Sequence, residues 1–180
     1  MIVLLDQVRL EPVRWQETCH LAAEILDRPE LVALSPIAWR GSLTFNDPGF
    51  LLQGDLAYQQ TLTCTRCLKE FEEPANSELR LLVEVGGVAG APGERELGED
   101  ELEVVTVAGD ELDTDPLVLE QVLLNLPMKP LCRPDCKGLC PRCGVDRNVE
   151  ACGCEVASTD PRWSALADLK DRLKSGEKRN

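Results

Sequence analysis

Four of the nine cysteines fall within the stretch LCRPDCKGLCPRCG at positions 131–144. A further pair follows closely in ACGC at 151–154, and another lies far upstream in TCTRCL at 63–68. Thiolate sulfur is a strong ligand for zinc, and a C-x-x-C turn aims two sulfurs at one point. Two such turns with four more cysteines predict a metal-binding chain. The predicted ligands are Cys64, Cys67, Cys132, Cys136, Cys140, Cys143, Cys152 and Cys154.

Eight thiolates divide into two sites of four, so we expect two zinc ions. The preferred partition gives the last four cysteines one ion, because they close a compact local loop. The pair in TCTRCL is then completed by Cys132 and Cys136, which ties the upstream strands to the tail. The alternative places the two C-x-x-C turns around one ion, and spacing alone leaves both arrangements open. The remaining Cys19 is predicted to be a small buried apolar residue.

Other thiol chemistry fits the sequence less well. A redox pair at Cys64 and Cys67 needs surroundings that lower a thiol pKa, whereas Glu70, Glu72 and Glu73 are expected to raise it. An iron–sulfur cluster also takes four thiolates, but the spacing is closer to zinc modules than to ferredoxin sequences.

Catalysis is not expected. A catalytic zinc keeps one position open for water, and a site with four thiolates has no such position. The chain has a single histidine, His20, which is expected on a helix surface, and it has no phosphate-binding glycine loop and no G-x-S-x-G motif. We therefore expect neither an enzyme nor a small-molecule substrate.

The charge of the chain is unevenly placed. Of 180 residues with a formal net charge of −13, the segment 1–128 carries 8 basic and 24 acidic side chains, and 129–180 carries 11 basic and 8 acidic ones. The acidic segment repels a phosphate backbone and suits a basic protein partner, so the C-terminal segment is the better nucleic-acid face. No apolar stretch approaches the roughly 18 residues of a membrane helix. The N-terminus lacks a signal-peptide pattern, so we expect a cytoplasmic protein without membrane contact.

The pattern of apolar residues predicts an α+β fold. Alternating segments between Ile37 and Val85, with the turn NDPG at 46–49, indicate an antiparallel β-meander, and LEVVTV at 102–107 indicates one more strand. Flanking helices are predicted at 16–28, from Leu21 and Ile25 on one face, and at 113–127. The predicted apolar face of the second helix consists of Leu119, Val122, Leu123 and Leu126.

Two domains are expected. Residues 1–128 form the α+β domain, which includes a mobile acidic loop at 86–101 that is rich in Gly and Glu. Residues 129–180 form a cysteine-rich, zinc-ribbon-like module followed by an amphipathic helix in STDPRWSALADLKDRLKSG at 158–176. The apolar face of this helix is expected to pack on the core, and the alternative is that it docks a partner.

Three of these segments together resemble the YceD family: LTCTRCLKEFEEP at 62–74, LPMKPLCRPDCKGLCPRCGVDRNVEACGC at 126–154, and DPRWSALADLK at 160–170. The resemblance is most specific over 126–154, where CKGLCPRCG, Asn148 and the closing C-x-C recur. It implies a role in accumulation of 23S ribosomal RNA, as a factor in large-subunit biogenesis. Metal binding is predicted from the spacing and is not implied by the family.

We therefore expect a non-catalytic zinc-binding factor for large-subunit rRNA accumulation. Its expected partner is large-subunit rRNA or a pre-ribosomal particle, directly or through a basic ribosomal protein. The basic side chains expected at that contact are Arg66, Lys69, Arg133, Lys137, Arg142 and Arg147. The alternatives are a thiol redox protein that uses Cys64 and Cys67, and a structural zinc adaptor without any RNA connection.

Overall fold

The computed structural model describes residues 1–86, residues 104–154 and the single residue 166. The chain forms two compact units, Met1–Pro134 and Asp135–Asn180. Apart from Gly86 and residue 166, the predicted acidic loop and the predicted C-terminal helix lie outside the described residues. The fold is mostly β-sheet with few helices, in the α+β class. The division into domains at residue 128 stays a prediction.

A six-stranded sheet dominates the described part of the first unit. Its strands are β2 Val13–Cys19, β3 Leu31–Leu34, β4 Ile37–Asn46, β5 Gly49–Thr63, β6 Glu70–Val85 and β7 Val104–Val107. The order is β2-β4-β5-β6-β7, and β3 pairs with β5 beside this path. The β4–β5 and β5–β6 pairs are antiparallel and follow the chain order, whereas β6 and β7 run parallel. A separate antiparallel pair joins β1 Ile2–Leu4 to β8 Glu111–Asp113.

The alternation predicted along β5 is present in the structure. Leu56, Tyr58, Gln60 and Leu62 are all buried, because successive side chains of a strand point to opposite faces of the sheet. The predicted turn at 46–49 joins β4 to β5, and Asn46 pairs with Gly49 across it. Strand β6 begins at Glu70, eight residues before the predicted segment ELRLLVEV, and pairs with β5 from Glu70 to Val83.

The prediction of a helix at 16–28 is wrong. Strand β2 continues to Cys19, and only the short 3₁₀ helix Ala23–Leu26 follows. His20 lies exposed between the two, not on a helix, and Ile25 is 62% exposed while Leu26 is buried. The apolar spacing was too short to distinguish a helix from a strand. Pairing of the whole of β2 with β4 decides in favour of the strand.

Two α-helices are described, α1 Leu5–Leu10 and α2 Asp115–Asn125. Helix α2 confirms the prediction of a helix at 113–127. Its buried residues are Leu117, Val118 and Val122, of which only Val122 was predicted to lie on the apolar face. The predicted residues Leu119, Leu123 and Leu126 are partly buried against the same cluster. Ser77 of β6 donates a hydrogen bond of 2.8 Å to Gln121 Oε1 of α2, which fixes the helix on the sheet.

One face of β5 contributes to both apolar clusters of the first unit. Leu56 packs with Trp39 and Val118, and Leu52 packs with Phe50 and the α1 region. Each such buried side chain stabilises the fold by about 1.5–3 kcal/mol relative to exposure. The loop between β5 and β6, which holds the first cysteine pair, therefore leaves a well-packed sheet.

Candidate metal centre

The first C-x-x-C turn connects β5 to β6. The Cys64 N–H donates to the Lys69 carbonyl at 2.9 Å, and the Leu68 N–H donates to the Cys64 carbonyl at 2.9 Å. Thr63 pairs with Glu70 immediately outside the turn, so the two strands hold its ends together. Cys64 is fully buried, and Cys67 is 4% exposed. Both sulfurs thus lie in the interior and not at the surface.

The segment after α2 brings a third sulfur to this turn. The backbone N–H and the hydroxyl of Thr65 both donate to the Pro130 carbonyl, at 3.0 and 3.1 Å. This contact places the Cys132 sulfur 3.6 Å from the Cys67 sulfur. The sulfurs of Cys64, Cys67, Cys132 and Cys136 all lie within 4.8 Å of one another, and we call these four residues the first tetrad.

Asn148 fixes the position of Cys136. Its Nδ2 donates to the Cys136 sulfur at 3.4 Å and to Asp146 Oδ1 at 2.7 Å. Its Oδ1 accepts the N–H of Lys137 at 2.7 Å. An N–H donor beside a thiolate orients the ligand and offsets part of its charge. From sequence, Asn148 was noted only as part of the family pattern. The position of an asparagine in a loop does not indicate that its side chain contacts a sulfur.

The second C-x-x-C turn repeats the hydrogen bonds of the first. The Cys140 N–H donates to the Val145 carbonyl at 2.8 Å, and the Gly144 N–H donates to the Cys140 carbonyl at 2.9 Å. The sulfurs of Cys140, Cys143, Cys152 and Cys154 lie within 4.8 Å of one another and form the second tetrad. Cys140 is buried, Cys143 is exposed, and the other two are half-buried. This group is therefore more open to solvent than the first.

The sulfur spacing fits a single four-coordinate ion in each tetrad. A tetrahedron with zinc–sulfur bonds of about 2.3 Å has sulfur–sulfur edges of about 3.8 Å. The 3.6 Å contact between Cys67 and Cys132 and the 4.8 Å limit within each tetrad agree with that size. The grouping is the preferred partition of the sequence analysis, and the two C-x-x-C turns do not share one group. Metal binding by these eight residues stays a prediction.

The first cysteine of each turn has a lowered pKa. Burial raises the pKa of Cys64, but N–H groups of Cys132, Cys67 and Arg66 hydrogen-bond its sulfur and lower the pKa to about 6. The prediction that the following glutamates raise the thiol pKa in this pair is therefore wrong for Cys64. Backbone N–H groups point at the sulfur, whereas the acidic side chains begin with β6.

The cysteines of the second tetrad differ in pKa. N–H groups of Cys143 and Arg142 lower the pKa of Cys140 to about 6. A hydrogen bond with Cys143, together with burial, raises the pKa of Cys154 to about 12. The N–H of Cys154 acts to lower the pKa of Cys152, but the hydrogen bond and the charge of Cys140 raise it overall. At neutral pH a metal ion must therefore displace protons from Cys152 and Cys154.

The remaining predicted residues lie at the surface or near it. All six basic residues assigned to a partner contact are exposed, and each lies within two residues of a tetrad cysteine or, for Arg147, within the loop of the second tetrad.

Cys19, predicted to be buried, is only partly buried, and its sulfur lies 3.8 Å from Glu17 Oε1. Within the described ranges, no helix has both the length and the apolar character needed to cross a bilayer.

The family described as "Large ribosomal RNA subunit accumulation protein YceD" matches residues 52–170. This range contains both tetrads. The chain belongs to the YceD family. Among curated relatives, an uncharacterized protein of Mycobacterium tuberculosis is 34% identical over 122 residues, which cover 67% of this chain and 56% of that protein. The chain thus spans about half the length of the mycobacterial relatives that it matches.

Two further relatives connect the chain to other groups of bacteria and to plants. The uncharacterized protein YlbN of Bacillus subtilis is 24% identical over 172 residues, 93% of this chain and 94% of YlbN. An Arabidopsis thaliana protein named "Large ribosomal RNA subunit accumulation protein YCED homolog 1, chloroplastic" is 27% identical over 67 residues, 37% of this chain and 21% of that protein. No solved structure matches the chain.

Proposed function

We propose that this chain is a non-catalytic zinc protein that acts in the accumulation of large-subunit ribosomal RNA. The observation that carries the proposal is the pair of four-sulfur groups in a chain of the YceD family, whose description names that RNA. The plant relative carries the same RNA in its name. The working location is the cytoplasm, where bacterial ribosomes assemble.

Zinc is the favoured ion because of the donor set. The first site would be held by Cys64, Cys67, Cys132 and Cys136, and the second by Cys140, Cys143, Cys152 and Cys154. Bound zinc would supply a crosslink and no open coordination position, since four thiolates complete its tetrahedron. A polynuclear iron–sulfur cluster places its own iron and sulfide atoms between the thiolates, and sulfurs within 4.8 Å of one another suit a single ion better.

The second unit needs such a crosslink. Between residues 135 and 154 of the described chain, the buried side chains are those of Cys136 and Cys140, and no larger apolar side chain is buried. These described residues of the second unit bury too little apolar surface to stabilise their fold by burial alone. Structural zinc in small modules supplies on the order of 10–16 kcal/mol of folding free energy. The tail is therefore proposed to fold only with its metal.

The proposed mechanism is recruitment. The metal-fixed tail presents exposed cations, Arg133, Lys137, Arg142 and Arg147, to phosphates of large-subunit rRNA. The acidic first unit repels RNA and instead suits a basic ribosomal protein in the same particle. No bond is made or broken in this function; the protein positions RNA and protein components.

RNA binding at several salt concentrations tests the recruitment step. Wild-type protein with both metal sites loaded should bind 23S rRNA with an affinity that falls steeply as salt rises, because each bound phosphate releases counterions. Replacing Arg142 and Arg147 by Ala should weaken binding and reduce the slope by about 2 in log–log form. The matched control replaces Arg14 and Arg80, two exposed arginines of the sheet, and should change neither quantity. A flat salt dependence for the wild type contradicts direct RNA contact.

The cellular role is tested by RNA levels. Cells that lack this protein should contain less 23S rRNA relative to 16S rRNA, and wild-type protein should restore the ratio. A variant with Cys64 and Cys140 both replaced by Ser should fail to restore it. An unchanged ratio in cells without the protein would contradict the RNA role and leave the structural zinc adaptor and the thiol redox protein as the alternatives.

The redox alternative makes a different prediction for Cys64 and Cys67. Both are buried, and the Cys132 sulfur lies in contact with Cys67. A metal site gives thiols that react only after a chelator is added, whereas a redox pair reacts freely without it. Thiol titration of the reduced protein, with and without chelator, separates the two functions.

A further inference from the structure

The two C-x-x-C turns share their backbone hydrogen bonds but differ in the residue that follows the second cysteine. In both, the residue after the second cysteine donates its N–H to the carbonyl of the first cysteine, at 2.9 Å. In both, that residue has a left-handed conformation, with φ 59° at Leu68 and φ 74° at Gly144. The second turn thus uses the residue that this conformation favours, and the first turn uses a leucine.

Among the described residues, the side chain of Leu68 joins neither apolar cluster. A left-handed φ brings Cβ close to the backbone carbonyl, a contact that glycine avoids. The Leu68 side chain is 64% exposed and belongs to neither apolar cluster of the first unit. Packing within the described chain therefore does not compensate for the strain. A strained residue that persists without internal benefit points to a role outside the chain.

The neighbours of Leu68 indicate what could cover it. Arg66 and Lys69 are both exposed, so the turn presents an aliphatic side chain with a cation on either side along the chain. A leucine has neither a ring to stack on a base nor a group to hydrogen-bond one, and it gains free energy only in an apolar pocket. Arginine is enriched among the side chains that contribute most to protein–protein contacts, so the flanking Arg66 favours a protein partner for this turn.

We propose that residues 65–69, the Leu68 turn, form a protein-docking surface. Leu68 enters an apolar pocket of a partner protein, and Arg66 and Lys69 meet carboxylates at the rim of that pocket. This surface is separate from the tail cations assigned to RNA. The inference rests on the proposed function only for where the partner is found, namely in large-subunit precursor particles.

Two substitutions separate docking from folding. Leu68→Gly gives the first turn the residue of the second, and Leu68→Asn keeps a side chain of similar length that tolerates a left-handed φ. Both variants should retain wild-type metal content and a thermal midpoint that is unchanged or higher. Affinity for purified large-subunit precursor particles should fall at least about tenfold, as expected for loss of a buried leucine. Affinity for protein-free 23S rRNA should not change.

Ile25→Asn is the matched control, because Ile25 is a similarly exposed apolar residue, at 62%, but lies outside the metal turns. It should bind particles like the wild type. Unchanged particle binding by both Leu68 variants overturns the inference alone. An equal loss on protein-free rRNA makes RNA the occupant and overturns the protein partner. Loss of metal in both variants makes Leu68 structural, which also overturns it. Failure of the wild type to bind particles at all overturns the inference together with the proposed function.

Discussion

Each tetrad consists of four cysteines, but the surroundings of the two tetrads differ. The first begins in a loop between two long strands of a sheet with two apolar clusters, and its leading cysteine is fully buried. The second lies in a unit whose described residues bury no apolar side chain larger than cysteine, and Cys143 is exposed. The first ion would fasten segments of a fold that already has a core, whereas the second would take the place of a core.

What the turns share is equally informative. In both, N–H groups of the arginine and of the second cysteine hydrogen-bond the first sulfur, and both first cysteines have a pKa of about 6. Both sulfurs are buried, which acts to raise the pKa, and in both the N–H groups outweigh that effect. The local geometry of the C-x-x-C turn therefore determines the ionisation of its leading thiol, and the surroundings determine how far the metal is needed for folding.

Loss of each ion should have very different structural consequences. Cys64→Ser and Cys140→Ser should each lower the zinc content from two ions to one. In Cys140→Ser, amides after Cys136, the last ligand of the first tetrad, should lose their protection from hydrogen exchange, because zinc supplies folding free energy on the order of 10 kcal/mol there. Amides of β4, β5 and β6 should stay protected in both variants. Loss of protection throughout the sheet in Cys140→Ser would show that the two units do not differ in this way.

The second tetrad should bind zinc with a steep pH dependence. Cys154, with a pKa of about 12, and Cys152, with a raised pKa, both hold a proton at pH 7–8. Zinc must displace both protons, so the apparent affinity should rise with pH, by about a hundredfold per unit, since each displaced proton contributes about tenfold. Competition with a chromophoric chelator in the Cys64→Ser variant, which leaves only this site, measures the slope. A slope below one log unit per pH unit would contradict the proton distribution.

The hydrogen bond from Asn148 should matter for the first tetrad. Asn148→Ala removes the donor to Cys136 and the acceptor of the Lys137 N–H. Loss of an outer partner of this kind typically weakens metal binding by about 10- to 100-fold. Zinc competition in the protein with all eight ligand cysteines, where the tail stays folded, should show weaker binding of one of the two ions. Asn76→Ala, at an exposed position of β6, is the control and should bind zinc like its parent.

Exchanging the residue after each second cysteine should have the smallest effect. Gly144→Leu forces a leucine into a left-handed φ and should lower the free energy of unfolding by about 1–2 kcal/mol. A Cβ at Gly144 would meet no atom within 4 Å, so the cost is conformational and not steric. The reverse change, Leu68→Gly, should leave stability unchanged or raise it by up to about 1 kcal/mol. Thermal melts of the zinc-loaded proteins measure both, and equal losses would contradict the comparison.

Sequence patterns predicted the elements whose signals are local. The alternation of Leu56, Tyr58 and Leu62, the turn before Gly49 and the proline-started helix α2 all appear in the structure. The strand β2 was missed because its partner residues in β4 lie 18 to 30 positions away along the chain, and no local pattern shows that pairing. The parallel pairing of β7 with β6 was not visible for the same reason.

The sequence by itself determined the set of sulfur ligands, eight cysteines in closely spaced pairs, and the family to which the chain belongs. The tertiary structure decided which cysteines share a group. Ligand types and their spacing can be read directly from the order of residues. A C-x-x-C turn forms from neighbouring residues and depends on no distant part of the chain. Only the tertiary structure decided that Asn148 contacts Cys136, that Cys64 is buried, and that Leu68 is exposed at a left-handed φ. Those properties depend on atoms brought together from distant parts of the chain and on backbone angles, which residue spacing does not encode.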